Sequence, residues 1–146
     1  MEYKKINGDF YIRLDPGDEV VRALKDVCTK ENIFGGEFRG IGGCSSAELA
    51  TFDPDTNTYQ THPFSGMLEM ASLLGNITKS KDGNAGIHAH AVFSQLEDGH
   101  LVTCGGHLLS SVVKLTGEIV IHPLPVPMEK RFDIVPGLGV WKLPED

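Results

Sequence analysis

Gly86 to Leu109 reads GIHAHAVFSQLEDGHLVTCGGHLL and holds four of the six histidines of the chain. From Ile87 to Ala91 small or apolar residues alternate with His88 and His90. In a β-strand, residues two apart share a face, so both imidazoles project together with Ile87, Ala89 and Ala91 on the opposite side. Gln95 to His100 reads as a turn, with Asp98-Gly99 a strong hairpin signal. The returning strand, Leu101 to Cys104, runs into Gly105-Gly106-His107. A hairpin of this kind brings His107 back beside His88 and His90, and the two glycines would leave room for an ion or ligand there. Three neutral imidazoles on one face match a first-row metal site with open positions. The same spacing also suits a hydrated strand face or core histidines satisfied by carbonyls. His-x-His opens the cupin metal motif too. That motif asks for glycine six residues before the first histidine, where Asp82 stands, and for glutamate four or five after the second, where Ser94 and Gln95 stand.

The 146 residues fit a single domain, 1–146, with enough apolar content for a core. The 17 glycines favour turns and tight strand connections. A net charge of −7 works against unspecific attraction to nucleic acid. Cys28, Cys44 and Cys104 share no Cys-x-x-Cys spacing, which argues against a thiolate zinc site and for a reducing, cytoplasmic setting. MEYKKINGDFYIRL has no apolar signal core, and no apolar run approaches the length of a membrane helix.

Phe10, Ile12 and Leu14 alternate with Tyr11 and Arg13 as a half-buried strand. Asp15-Pro16-Gly17-Asp18 is a turn, and Asp18 is the expected N-cap of the one long helix. Val20, Val21, Leu24, Val27 and Cys28 form its apolar stripe, and the helix ends near Asn32. Short strands are expected around Glu37–Ile41 and Ser46–Phe52, with Gly40, Gly42 and Gly43 as a bend or bulge. Asp53 to Asn57 is a turn, Thr58 to Pro63 returns, and His62 is exposed. Met67 to Lys79 is a strand, because Gly75, Asn76, Ile77 and Thr78 disfavour helix. Lys81 to Asn84 turns into the histidine strand. Leu108 to Ser111 suggests one short turn before a strand from Val112 to His122, whose Ile119-Val120-Ile121 asks for cover on both sides. Pro123, Pro125 and Pro127 mark an edge or extended linker. Arg131–Val135 and Val140–Leu143 are short terminal strands, and Trp141 is read as a core or interface plug.

Taken in order, Arg13 to Asp18, Gly40-Ile41-Gly42, Ser72-Leu73-Leu74-Gly75-Asn76-Ile77, His88-Ala89-His90, Gly105-Gly106-His107-Leu108 and the stretch from Arg131-Phe132-Asp133 to Gly137 resemble a PPC domain, the "plants and prokaryotes conserved" family. The resemblance runs from about Phe10 to Leu143. It implies an α+β fold: a largely antiparallel β-sheet of about seven strands with one main helix packed on it, assembled as a homotrimer. Plant members follow AT-hook motifs in DNA-binding proteins, whereas prokaryotic ones stand alone, have unclear function and are often named as DNA-binding. This chain has no AT-hook; its basic cluster near the start is Lys4-Lys5. His88, His90 and His107 match a three-histidine set seen in many prokaryotic members. Together these features suggest a trimeric metal-binding domain holding a divalent metal, zinc first, with iron or another first-row ion as alternatives. A three-histidine site can activate water or polarise a carbonyl, so whether catalysis follows stays open. Glu69, Glu97 and His100 are the candidate bases, and Arg13 is a candidate for a small anionic ligand or a plain salt bridge. The second reading is a non-catalytic DNA-associated or protein-association module.

Overall fold

The computed structural model describes residues 1–135 and 137–143. Position 136, within the terminal stretch that carries part of the resemblance, and 144–146 lie outside the described residues. The fold is a mostly antiparallel sheet with one short helix. Eight strands are present among the described residues rather than about seven. The addition is β1 (Glu2–Ile6), which pairs with β2 (Asp9–Leu14). Asn7 and Gly8 both take positive φ, 52° and 97°, the backbone of a type I′ hairpin turn.

After β2 comes α1 (Val20–Lys30), which buries Val20, Ala23, Leu24, Val27 and Cys28 and ends as expected at Glu31-Asn32. Val21 packs only partly against the core. Its N-cap is Glu19, not Asp18. The Asp18 carboxylate accepts the Asp15 N–H at 2.8 Å and so is spent on the preceding turn. Glu19 accepts the N–H groups of Val21 and Arg22 at 3.0 and 2.7 Å, and that of Ser111 at 3.0 Å. One carboxylate therefore caps the helix and fastens it to the sheet. Glu19→Ala should cost about 2 kcal/mol in urea unfolding, because a cap and a tertiary acceptor are lost together.

Four long strands make the body: β3 (Gly36–Asp53), β4 (Thr58–Lys79), β5 (Ala85–Glu97) and β6 (His100–Pro123). Where two separate strands each were expected, β3 and β4 are continuous. The ladder shifts near Gly40/Gly42 and Cys44/Ser46 confirm the glycines as a bulged bend. Leu108 to Ser111 is not a turn. It stays in β6, and the slip falls at Leu109, because Leu49 pairs with Leu108 and Glu48 with Ser110. β3 pairs with β4 and β6, β4 also with β5, and β5 with β6, so the four strands close into a ring. β2 joins the second half of β6. α1 packs on β5 and β6.

Inside lie Phe10, Leu14, Leu73, Phe93, Ile119 and Ile121, all at most 2% exposed, with the buried stripe of the helix. Ile119 and Ile121 face this core, while Val120 points to the other face and is half-buried. The proline stretch is a linker that hydrogen-bonds to the segment after the helix, Leu124 N–H to Gly35 and Met128 N–H to Phe34. β7 (Glu129–Asp133) and β8 (Leu138–Lys142) form a separate hairpin. The three cysteines are free, and burial pushes the Cys28 thiol up to about 12. No helix among the described residues is long and apolar enough to cross a membrane.

Candidate metal centre

On β5, Ala85, Ala89, Ala91 and Phe93 are buried, while His88 is half-buried and His90 exposed. The period of two thus places both imidazoles on the outer face. Asp98 and Gly99 take positive φ, 49° and 78°, and the hairpin they make runs without a slip from Glu97–His100 to His90–His107. His107 therefore stands directly across from His90. The ring centroids lie 5.0 Å (His88–His107), 5.2 Å (His88–His90) and 5.4 Å (His90–His107) apart. One ring nitrogen from each lies within 4.8 Å of the others.

The site's electrostatics favour neutral imidazoles. Burial lowers the pKa of His88 below 6.5, and the charges of Lys130, His107 and His90 add to this. Burial also lowers that of His107, with His90 and Lys130 contributing. Neutral imidazole is the form that ligates a metal. Nitrogens about 2.0–2.1 Å from a tetrahedral ion stand roughly 3.3 Å apart, a closure that ring rotation can supply. Asn76 on β4 is the cross-strand partner of His88, and its Oδ1 is buried without a hydrogen-bond partner among the described residues. The second ring N–H of a metal-binding histidine is the kind of donor such an oxygen lacks. The donor set therefore fits a first-row divalent ion.

Several sequence expectations fall away here. Gly105 and Gly106 do not open space for an ion. A Cβ on them would stand 3.2 Å from the Ala91 oxygen and 3.0 Å from the Ala50 oxygen, so they serve close strand approach. Glu97 and His100 face each other at the far end of the hairpin, more than ~20 Å along the strands from the cluster. Glu69 pairs with Gly43 and Ser94, also well down the strands from Leu74, the partner of His90. None of the three candidate bases reaches the histidines. Arg13 is engaged with Glu2 at 3.3 Å and Asp15 at 3.1 Å. His62 is exposed, as expected. Trp141 is no core plug: it is 48% exposed and helps line a cavity of about 730 Å³ that opens beside His88 and His90. The cavity also takes in Asn76, Glu37, His122 and Asp9. Tyr59 flanks the other side, its ring 6.1 Å from that of His107. Asn76, Lys130 and Tyr59 escape a reading by motif, because their nearness depends on strand register and on the β7–β8 hairpin.

A family model described as the Plants and Prokaryotes Conserved (PCC) domain matches residues 1–125. Among solved structures, the chain is similar to a Ralstonia eutropha JMP134 protein described as a "putative DNA-binding protein". The two are 29% identical over 97% of this chain and 96% of that one, with a TM-score of 0.87. It is similar to the "metal-containing protein AF0104" of Archaeoglobus fulgidus, at 28% identity over 98% and 99% of the two chains and a TM-score of 0.80. It is also similar to a plant- and prokaryote-conserved (PPC) protein of Pyrococcus horikoshii, at 27% identity over 99% and 95% and a TM-score of 0.79. No curated protein matches the sequence.

Proposed function

Because the chain belongs to the Plants and Prokaryotes Conserved (PCC) domain family, we propose that it is a metal-binding member of that family, in which His88, His90 and His107 together hold one divalent ion. The observation that carries this reading is the convergence of three imidazoles within 4.8 Å on one sheet face. The description of the Archaeoglobus neighbour as metal-containing supports it. Zinc suits three imidazoles with a position left open, and iron or another first-row ion is the alternative that elemental analysis distinguishes. Bound there, the ion would supply Lewis acidity beside the cavity. The chain's residues hold it, keep two of the imidazoles neutral and shape the space around it. Protein purified, stripped with chelator and reloaded should take up one equivalent of zinc per chain; no uptake by the folded chain sinks the reading.

The working unit in this reading is a homotrimer. Leu74, Ile41, Leu115 and Phe132 are each more than half exposed, and apolar surface of this kind favours association. Light scattering should return three times the chain mass, and a stable monomer at micromolar concentration would end the idea.

The Ralstonia neighbour's description brings DNA into view. Affinity for a duplex comes chiefly from Lys and Arg on phosphates, and here 13 basic residues face 20 acidic ones. Fluorescence anisotropy at physiological salt should give weak or no duplex binding; tight, sequence-selective binding would favour the DNA reading instead.

A further inference from the structure

Across the sheet from His88 and its partner Asn76, a row of polar residues continues that metal binding leaves without a role. His88 of β5 pairs with Asn76 of β4, Asn76 with Glu37 of β3, and Glu37 with His122 of β6. Residues directly opposite one another project from the same face, so these four side chains stand in line. The ends are three strand spacings apart, roughly 14 Å. Asp9, just before Phe10 in the β2–β6 ladder, extends the row. Its carboxylate is hydrogen-bonded to His122 Nδ1, and its side chain is only 22% exposed. That bond orients the imidazole and directs the other ring nitrogen, Nε2, away from the carboxylate.

The whole row borders the 730 Å³ cavity, whose apolar lining comes from Leu74, Leu124, Met128 and Trp141. This volume lies in the ordinary range for small-molecule sites, about 300–1,000 Å³. The two ends differ in charge. Lys130 acts on His88 and His107, and a divalent ion would add to its positive field. Asp9 and Glu37 stand at the other end. Arg39, on the same face as Glu37, borders an adjoining hollow that Glu37 and His122 line as well.

We propose that this cavity binds a small carboxylate with a hydrogen-bond donor at the far end of an apolar spacer. The carboxylate lies at the histidine cluster, and the donor reaches His122 Nε2 and Glu37. Asp9 is a positioning residue, acting through His122. Only the anionic end rests on the metal reading; the donor end stands on the Asp9–His122 pair and the strand register.

The probes are octanoate, 8-hydroxyoctanoate and 8-aminooctanoate, titrated by calorimetry into the zinc-loaded full chain. The hydroxyl and ammonium arms separate the two kinds of donor. One or both should bind at least about tenfold tighter than octanoate, the worth of a hydrogen bond to an oriented acceptor. His122→Ala should erase that advantage while leaving zinc content unchanged. Asp9→Asn should reduce it with zinc content equally unchanged, a split that a merely structural role would not give. Equal affinity for all three probes, no octanoate binding, or an advantage that survives in His122→Ala overturns the proposal. If the wild-type chain takes up no zinc, the metal reading has failed by itself. The same comparison on the metal-free chain then decides the donor end: an advantage lost in His122→Ala upholds it, and its absence overturns it.

Discussion

His107→Ala will lose essentially all bound metal under conditions where the wild-type chain keeps one ion. His107 is the single contribution of β6 to the cluster and stands opposite His90 in an unbroken ladder, so no neighbouring residue can replace it. Loss of a supporting partner around a metal typically costs about 10–100-fold in affinity, so loss of a ligand itself should exceed about 100-fold. His88→Ala and His90→Ala should behave alike. His62→Ala and His122→Ala should retain the ion, since neither imidazole belongs to the cluster. Metal per chain by elemental analysis, with a competing chelator for affinity, reads all five variants. Metal retained by His107→Ala at the wild-type level would refute the assignment.

The pH dependence of the metal-free chain follows from the same environment. His88 and His107 have folded pKa values below 6.5, so the unfolded chain takes up protons before the folded one does. Stability is then full above pH ~6.5 and declines as pH falls through the lowered folded values. Protons also displace metal from imidazoles, and the lowered values let the site stay loaded to more acidic pH than exposed histidines would. Urea midpoints and metal content measured from pH 8 to 5 check both directions.

Gly75→Ala should destabilise the fold by about 3 kcal/mol, at the upper end of overpacking costs. A Cβ there would stand 2.2 Å from the tip of the Phe38 ring and 2.3 Å from the carbonyl oxygen of His88. Phe38, Gly75 and Ala89 lie side by side on β3, β4 and β5, and the buried Phe38 ring fills the space that glycine leaves. One obstacle is backbone and cannot rotate away. Because that backbone belongs to His88, metal affinity should fall along with stability. Phe38→Leu in the same chain should recover part of the stability but not the metal affinity, since the clash with the His88 carbonyl remains. Chemical unfolding and chelator competition on the single and double variants separate the two effects. A Gly75→Ala chain as stable as wild type would show that the strands part at no cost.

The three histidines are the part of the site that can be read from sequence, for a definite reason. The alternation of His88 and His90 fixes their face, and a two-residue turn at Asp98-Gly99 fixes the register that returns His107. Both are local rules. The Asp9–His122 pair joins the second strand to the sixth, a meeting that no local pattern encodes, whereas Asn76 meets His88 through the unbroken ladder that runs back from the Lys79–Ala85 pair. The hairpin at Asn7-Gly8 carries a strong short-range turn signal, but β1 before it is exposed except for half-buried Tyr3, so no apolar alternation marks it as a strand. Asp18 satisfies the N-cap preference, yet its carboxylate is already taken by Asp15. The turn before the helix decides the cap, which composition at one position does not reveal. Leu108 to Ser111 looks like a break because small polar residues follow two leucines. In the sheet they are a bulge that bends β6 from one partner strand to the next.

The pairing of β2 with β6 also sets an order of events on the ribosome. β2 has β6 as its second partner, and Phe10 must wait for Ile121. At about 5–20 residues per second, the first hairpin is made roughly 5–20 seconds before the strand that completes its ladder. Its charged outer strand, with Glu2, Lys4 and Lys5, guards one flank of β2 during that interval, and charge on an edge strand discourages pairing with other chains. The other flank stays open. Nascent chains stalled before residue 121 should therefore be the form most prone to aggregate, and folding should be slow for the chain's size, in the milliseconds-to-seconds range typical of sheets dominated by distant pairings.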